Sequence, residues 1–153
     1  MSSKLFGKYD HSLDAKGRLH IPAKMRKDLC DENDEFYVTC HVATGEDGTE
    51  TNCLAAITSA RWDILMENAE ELPPEYEAHI RQLISGTEKY KLDGNGRVIL
   101  SQKHRDHAGL DRDVVIVGMS KRAEIWDAAK WQEQEEGKDP AKAALALKHK
   151  LRI

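Results

Sequence analysis

The chain has 153 residues, 40% of them hydrophobic, which suffices for one ordinary globular core and, on length, about one domain. Its 23 Lys and Arg against 27 Asp and Glu give a net charge of -4, so the field of the whole molecule repels DNA and anionic membranes, and any polyanion must be bound locally. No apolar run approaches the roughly 18 residues of a membrane span, the longest being Val114 to Met119, and the first residues lack a secretory apolar stretch, which predicts a cytoplasmic protein without a membrane partner. Cys30, Cys40 and Cys53 are an odd count without Cys-x-x-Cys spacing; they fit neither a disulfide framework nor a zinc ribbon and read as buried or bystander thiols.

In chain order, residues 1–27 are basic, with seven Lys and Arg against Asp10 and Asp14, a local +5. Within them Asp14-Ala15-Lys16-Gly17-Arg18 predicts a hairpin with a three-residue loop, Gly17 taking the left-handed backbone region that side chains resist. Asp14 opens the turn, Arg18 leaves it, and their side chains are placed to meet as a charge-assisted pair. Arg18 to Ile21 reads as a strand ending at Pro22, which opens a short helix over 22–29. Residues 31–50 carry seven acids and no Lys or Arg. Strands near 36–42 and 54–58, with Thr44 to Cys53 as loop between them, lead to a helix over Ala60 to Ala69. Residues 71–90 predict a connecting helix with Tyr76, Ile80, Leu83, Ile84 and Thr87 near one face. Residues 81–105 are basic again, at +4, and contain a second turn, Asp93-Gly94-Asn95-Gly96-Arg97. Ser101 is placed to cap a helix over 101–108, followed by strands at 114–119 and 123–126 and a helix over 128–136. The tail 141–153 has strong helix formers and a basic end, and reads as a marginal helix.

The second half repeats the first. At a constant offset of 79, Asp14, Gly17, Arg18, Lys24 and Arg26 meet Asp93, Gly96, Arg97, Lys103 and Arg105, five identities in thirteen positions. The same offset sets Phe36, Tyr37 and Val38 over Val115, Ile116 and Val117, and a drop to 69 aligns Ile57 with Trp126 and Arg61-Trp62 with Lys130-Trp131. Short strands that cannot bury both faces alone predict two units interlocked about a pseudo-twofold axis in one small β-barrel, an α+β and mainly β fold.

The turns carry the candidate chemistry. Arg18 and Arg97 are suited to guanine edges or phosphates, Lys16 and Asn95 sit at loop tips, and Gly17 and Gly96 keep the loops slim for a groove. The alternative, that both arginines only stiffen their turns against Asp14 and Asp93, stays open. Lys8, Lys24, Arg26, Lys103 and Arg105 form a second rank, either phosphate contacts or solvated faces. No dinucleotide or phosphate-loop fingerprint is present, and Asp93-Gly94-Asn95-Gly96-Arg97 fails as a calcium loop because Val98 and His104 occupy its sixth and twelfth positions. His104 and His107 read as an incidental surface pair, and Trp62, Trp126 and Trp131 as core anchors. No nucleophile, base and orienter are spaced for catalysis, so the expectation is no enzyme, no cofactor, no metal and no small-molecule substrate.

Phe6-Gly7, HSLDAKGRLHIPAKMR (11–26), Arg81 with its following apolar helix, KLDGNGRVIL (91–100), HAGL (107–110), VVIVG (114–118) and EIWD (124–127) together resemble the MraZ family, bacterial transcriptional regulators of the division and cell wall gene cluster. That family belongs to the SpoVT-AbrB superfamily of swapped-hairpin DNA-binding proteins, and the resemblance spans about residues 5–135. It implies a swapped-hairpin, AbrB-like barrel built from both repeats, with flanking helices, assembly into a homo-oligomeric ring, and binding of double-stranded DNA at direct repeats upstream of its own operon, as a nucleoid-associated repressor. The family's Asp-x-x-x-Arg motifs fall on Asp14 with Arg18 and Asp93 with Arg97. Residues 5–70 and 91–136 then form the two repeats, 71–90 the connecting helix and 137–153 a helical tail. Three departures stand out: the insertion Thr44 to Cys53, Ser101 in the place of Pro22, and LAAI (54–57) in the place of a bulkier strand. A regulator that occludes a promoter is the leading expectation; an antitoxin-like or scaffold interaction protein of the same fold, its tail binding a partner, is the other.

Overall fold

The order strand, strand, helix, strand, strand, helix occurs twice in the computed structural model, which describes residues 4–153. The first half has β1 (Lys8–Ser12), β2 (Arg18–His20), α1 (Ala23–Leu29), β3 (Glu35–Thr44), β4 (Glu50–Ile57) and α2 (Ser59–Glu70). A 3-10 turn (Pro74–Tyr76) and α3 (Glu77–Ser85) lead to β5 (Glu88–Lys91), β6 (Arg97–Ile99), α4 (Gln102–Ala108), β7 (Asp113–Gly118), β8 (Ala123–Asp127) and α5 (Ala128–Glu135), and α6 (Pro140–Leu151) follows. The fold is α+β: a curled antiparallel half-barrel sheet of order β1-β7-β8-β4-β3-β5, with β2 and β6 as a separate two-stranded ribbon.

Strands of one half pair with strands of the other. β1 lies on β7, β5 on β3 and β2 on β6, so the Asp-x-x-Gly-Arg turns do not join paired strands as simple hairpins would. Each turn closes only locally, and the strands leaving it bury their apolar sides against the opposite half. The registers obey a pseudo-twofold relation: in the ribbon Leu19 faces its own equivalent, Val98, and in the sheet Ala55 faces its equivalent, Glu124.

That symmetry corrects the repeat alignment. Phe36 pairs with Tyr90, and Val114, not Val115, pairs with His11, so beyond α1 and α4 the offset is 78 rather than 79. Phe36 and Val38 point into the main core with Val114 and Ile116, whereas Val115 points to the other face; a one-residue shift exchanges the two faces of a strand. The Thr44 to Cys53 insertion is a loop only over residues 45–49. Thr44 and Glu50 to Cys53 extend β3 and β4, with His41 opposite Cys53 and Thr44 opposite Glu50, because antiparallel pairing satisfies backbone groups that a long loop would leave to water. The connecting helix stops at Ser85, and Thr87 lies beyond it.

The main core lies between the inner sheet face and the ribbon, where Leu19, Val98, Phe36, Leu54, Ile116 and Ile125 are buried, flanked by Met25 and Leu29 of α1 and Ala108 of α4. His104 belongs here too and is not a surface residue: α4 turns it fully inward. Its Nε2–H donates to the Gly86 carbonyl at 2.8 Å, which leaves Nδ1 to accept from the Tyr90 hydroxyl, also at 2.8 Å. The ring is therefore satisfied in the core and ties α4 to the end of α3. On the outer sheet face α5 covers Cys53, Val115 and Trp126, with Trp131 edge-on to Trp126 at 5.3 Å, and Trp62 of α2 stacks on Tyr37 at 5.1 Å. Burial pushes the Cys53 thiol up to about 12, so it packs as a small apolar group. Glu124, buried on the pseudo-twofold, accepts from Arg122 Nη2 at 2.8 Å and Trp126 Nε1 at 3.0 Å; the methyl of Ala55 opposite leaves room for that cluster.

Leu19→Ala empties the centre of the ribbon and should destabilise the chain by about 2–5 kcal/mol. Denaturant unfolding followed through Trp62 and through Trp126 with Trp131 should give coincident, equally shifted transitions; separate transitions would mean the two halves fold independently.

Candidate nucleic-acid interface

The two Asp-x-x-Gly-Arg turns have the same internal wiring. Asp14 Oδ1 accepts from the Lys16 and Arg18 amides, both at 2.9 Å, and its Oδ2 from Arg18 Nε. In the second turn Asp93 Oδ1 accepts from the Asn95 and Arg97 amides at 2.8 and 2.9 Å, and Oδ2 from Arg97 Nε at 3.1 Å. Gly17 (φ +79°) and Gly96 (φ +75°) close the turns by donating to the Asp14 and Asp93 carbonyls, both at 3.0 Å. The Arg18 amide, opposed by partial desolvation and helped by the guanidinium and the Lys16 amide, holds the Asp14 carboxyl down to about 2. The Arg97 amide lowers Asp93 in the same way. Each ion pair uses only Nε. The Nη ends of Arg18 and Arg97 have no protein hydrogen-bond partner among the described residues, and the two side chains are 31% and 24% exposed, so pairing with Asp leaves the outer edge of each guanidinium open.

The ribbon sets the two turns at its opposite ends. Arg18 pairs with Ile99 and His20 with Arg97, and the Ile21 and Leu100 amides donate across to the Gly96 and Gly17 carbonyls at 3.0 and 2.9 Å. Leu19 and Val98 point inward, so Arg18, His20, Arg97 and Ile99 all point out. The two arginines are diagonal neighbours, roughly 7–8 Å apart between their backbones. Lys16 and Asn95 sit exposed at the two tips.

Arg26 and Arg105, of the second rank, pack against the turns. Each is half-buried and donates from Nε to a carbonyl of its own half, Arg26 to Ile21 at 2.8 Å and Arg105 to Leu100 at 3.1 Å. Their guanidinium groups then lie under the opposite turn. A Cβ on Gly17 would come within 2.9 Å of Arg105 Cζ, and one on Gly96 closer still to Arg26. A side chain at either glycine would push this bracing guanidinium aside in addition to straining the backbone.

The remaining second-rank residues are dispersed. Lys8 pairs with Asp10 at 3.3 Å, Lys103 donates to the Ser85 carbonyl at 2.6 Å, and Lys24 is exposed beside Phe6 and Tyr9. A groove between the β3–β4 tip and α5 is lined by Glu46, Asp47, Glu50, Glu133 and Glu136 with Lys130 and Lys138, a charge balance that repels phosphate. Sequence reasoning missed His20 and Ile99; the two-residue alternation outward from Leu19 and Val98 was the signal that would have found them. The braces left a weaker trace, the conserved spacing between each turn and its arginine in the two repeats.

The chain is similar to known proteins. Residues 83–148 match the family described as "MraZ protein, putative antitoxin-like". The chain is 37% identical over 130 residues to the "Transcriptional regulator MraZ" of Acetivibrio thermocellus, covering 83% of each chain. It is 40% identical over 128 residues to the protein of that name from Natranaerobius thermophilus, covering 82% of each, and 36% identical over 143 residues to that of Desulfitobacterium hafniense strain Y51, covering 92% of each.

Two expectations follow from the turns. Because the folded-state pKa of Asp14 is depressed, its stabilising contribution is complete above the ordinary carboxylate range and is lost as pH falls through about 2. A carbon-13 NMR titration should find the Asp14 carboxylate still ionised at pH 3; protonation near pH 4 would contradict the observed wiring. For the brace, Gly96→Ala should destabilise the fold, and Gly96→Ala with Arg26→Ala should cost less than the sum of the single changes by about 0.5 kcal/mol or more, read from urea unfolding. Strict additivity would show that Arg26 does not support the turn.

Proposed function

Because the chain belongs to the MraZ family, whose relatives here are transcriptional regulators and not enzymes, we propose that it binds promoter DNA in a sequence-specific way and represses its own division and cell wall operon by occluding the promoter. One observation carries this reading: the β2–β6 ribbon sets two Asp-oriented arginines on a single outward face. A two-stranded β-ribbon fits the major groove, and Arg presents paired donors to guanine O6 and N7 or to a phosphate. Arg18 and Arg97 contact the bases, Lys16 and Asn95 the flanking backbone, and Asp14, Asp93, Gly17 and Gly96 hold the turns in shape. The barrel acts as a swapped-hairpin scaffold, and the protein works in the cytoplasm at the nucleoid. No helix of the described residues is long and apolar enough to cross a membrane.

Assembly into a ring completes the proposal. Phe6 is 76% exposed, and α3 turns Leu83 and Ile84 outward with Tyr76 just before it, apolar surface that self-association would cover. Subunits arranged head to tail meet DNA boxes in one sense, which calls for direct repeats spaced by about one helical turn.

Anisotropy titrations on duplexes from upstream of the protein's own coding sequence test both parts. Arg18→Ala and Arg97→Ala should each weaken binding by about 1–3 kcal/mol while the thermal melt stays in place, and wild-type affinity should fall steeply with salt. Several boxes at native spacing should bind more tightly than one, and a half-turn insertion should remove the gain. Unchanged binding by the double arginine variant would refute the assignment of the turns.

A further inference from the structure

An isoleucine 61% exposed is common on a protein surface, but Ile99 stands in an unusual setting. It lies on a ribbon whose inner face is closed by Leu19 and Val98, directly opposite Arg18 and two residues from Arg97 on its own strand. Its pseudo-symmetric equivalent, reached by the offset of 79, is His20, opposite Arg97 and also exposed. The four outward side chains therefore form two diagonals. One is Arg18 with Arg97, identical under the pseudo-twofold. The other is His20 with Ile99, chemically unequal.

That inequality has a consequence for any duplex laid on this face. Two arginines related by a twofold axis read the two strands alike, so by themselves they accept a box in either orientation. Direct repeats need a box with a sense. We propose that His20 and Ile99 are specificity-determining residues that give the box its sense: Ile99 packs on a thymine methyl in the major groove, and His20 donates a hydrogen bond to a purine N7 or O6 on the opposite side of the box centre. This rests on the DNA-binding reading above and deepens it. The chemistry matches what each position offers. Thymine is the one base whose major-groove edge carries a methyl group, the favourable partner there for an apolar side chain displayed beside Arg18 and Arg97. The imidazole of His20 supplies a donor that isoleucine lacks. Four residues on two paired strands cover roughly 7 Å along the ribbon, about two base-pair steps, so the contrast falls at the centre of the box. The tips add a weaker asymmetry of the same kind, Lys16 against Asn95.

The test is selection from a pool of duplexes with a randomised centre, using the full chain. Wild type should recover an asymmetric box with a thymine on the Ile99 side. Replacing that thymine by deoxyuridine, which lacks only the methyl, should weaken wild-type binding about five-fold or more and leave Ile99→Ala unaffected. The exchange His20→Ile with Ile99→His should recover the box with its centre reversed relative to its flanks. Both side chains are exposed, so melts should be unchanged; Ile99→Thr and His20→Gln serve if either variant melts early. Ile99→Ala selecting the same centre, with no effect of deoxyuridine, would overturn the assignment while leaving DNA binding by Arg18 and Arg97 in place. Failure of wild type to enrich any duplex would instead refute the DNA-binding reading, and this inference with it.

Discussion

Two strands of three residues each cannot stand as a ribbon in water, and β2 and β6 persist because Leu19 and Val98 press their shared inner face into the core. Everything that distinguishes this molecule hangs on that contact. Leu19 and Val98 lie on the pseudo-twofold axis, so burying them fixes the relation of the two halves. The same pairing leaves the alternate side chains outside, which sets Arg18 beside Ile99 and His20 beside Arg97. Inward burial and outward display are two results of one strand register.

Electrostatics then act locally within an acidic whole. At a net -4 the molecule as a whole offers no attraction to a polyanion, yet the ribbon carries two guanidinium groups with their Nη edges free. Asp14 and Asp93 reduce the charge at each turn but orient what remains. An arginine already held by its Nε has given up much of its rotamer freedom on folding, so less is lost when a ligand arrives. The acidic groove by α5 sits on the outer sheet face, across the sheet from the core that the ribbon caps, as the alternation of Cys53 and Trp126 with Leu54 and Ile125 requires. Under the proposed function, charge of this pattern favours presenting the basic ribbon, not the acidic side, to DNA.

The braces connect each half to the turn of the other. Arg26 reaches from α1 beneath Gly96, and Arg105 reaches from α4 beneath Gly17, each with its Nε on a carbonyl of its own half. A disturbance of either helix therefore reaches the turn of the opposite half. Repetition of the whole arrangement accounts for the recurrence of Arg26 and Arg105 at the same spacing from their turns: each lies against the turn of the opposite half.

Much of this was determined by the sequence alone, wherever the cause is local. The left-handed glycine, the Asp that caps its own turn, the Ser101 cap, the helices and the duplication depend on residues within a few positions of one another. What tertiary structure decided was the choice of partner and of face. The turns read as hairpins, but β1 and β2 find better burial on β7 and β6 than on each other. Glu50 to Cys53 read as loop together with the turn before them, because polar residues on a half-exposed strand resemble one. His104 read as surface, yet a core position with a hydroxyl and a carbonyl in reach accepts an imidazole. The offset of 78 in place of 79 was invisible because a run of valines and isoleucines fits either register, and only burial of alternate faces distinguishes them. Local preference limits what each segment can be, whereas which segments meet depends on the joint burial of faces far apart in the chain.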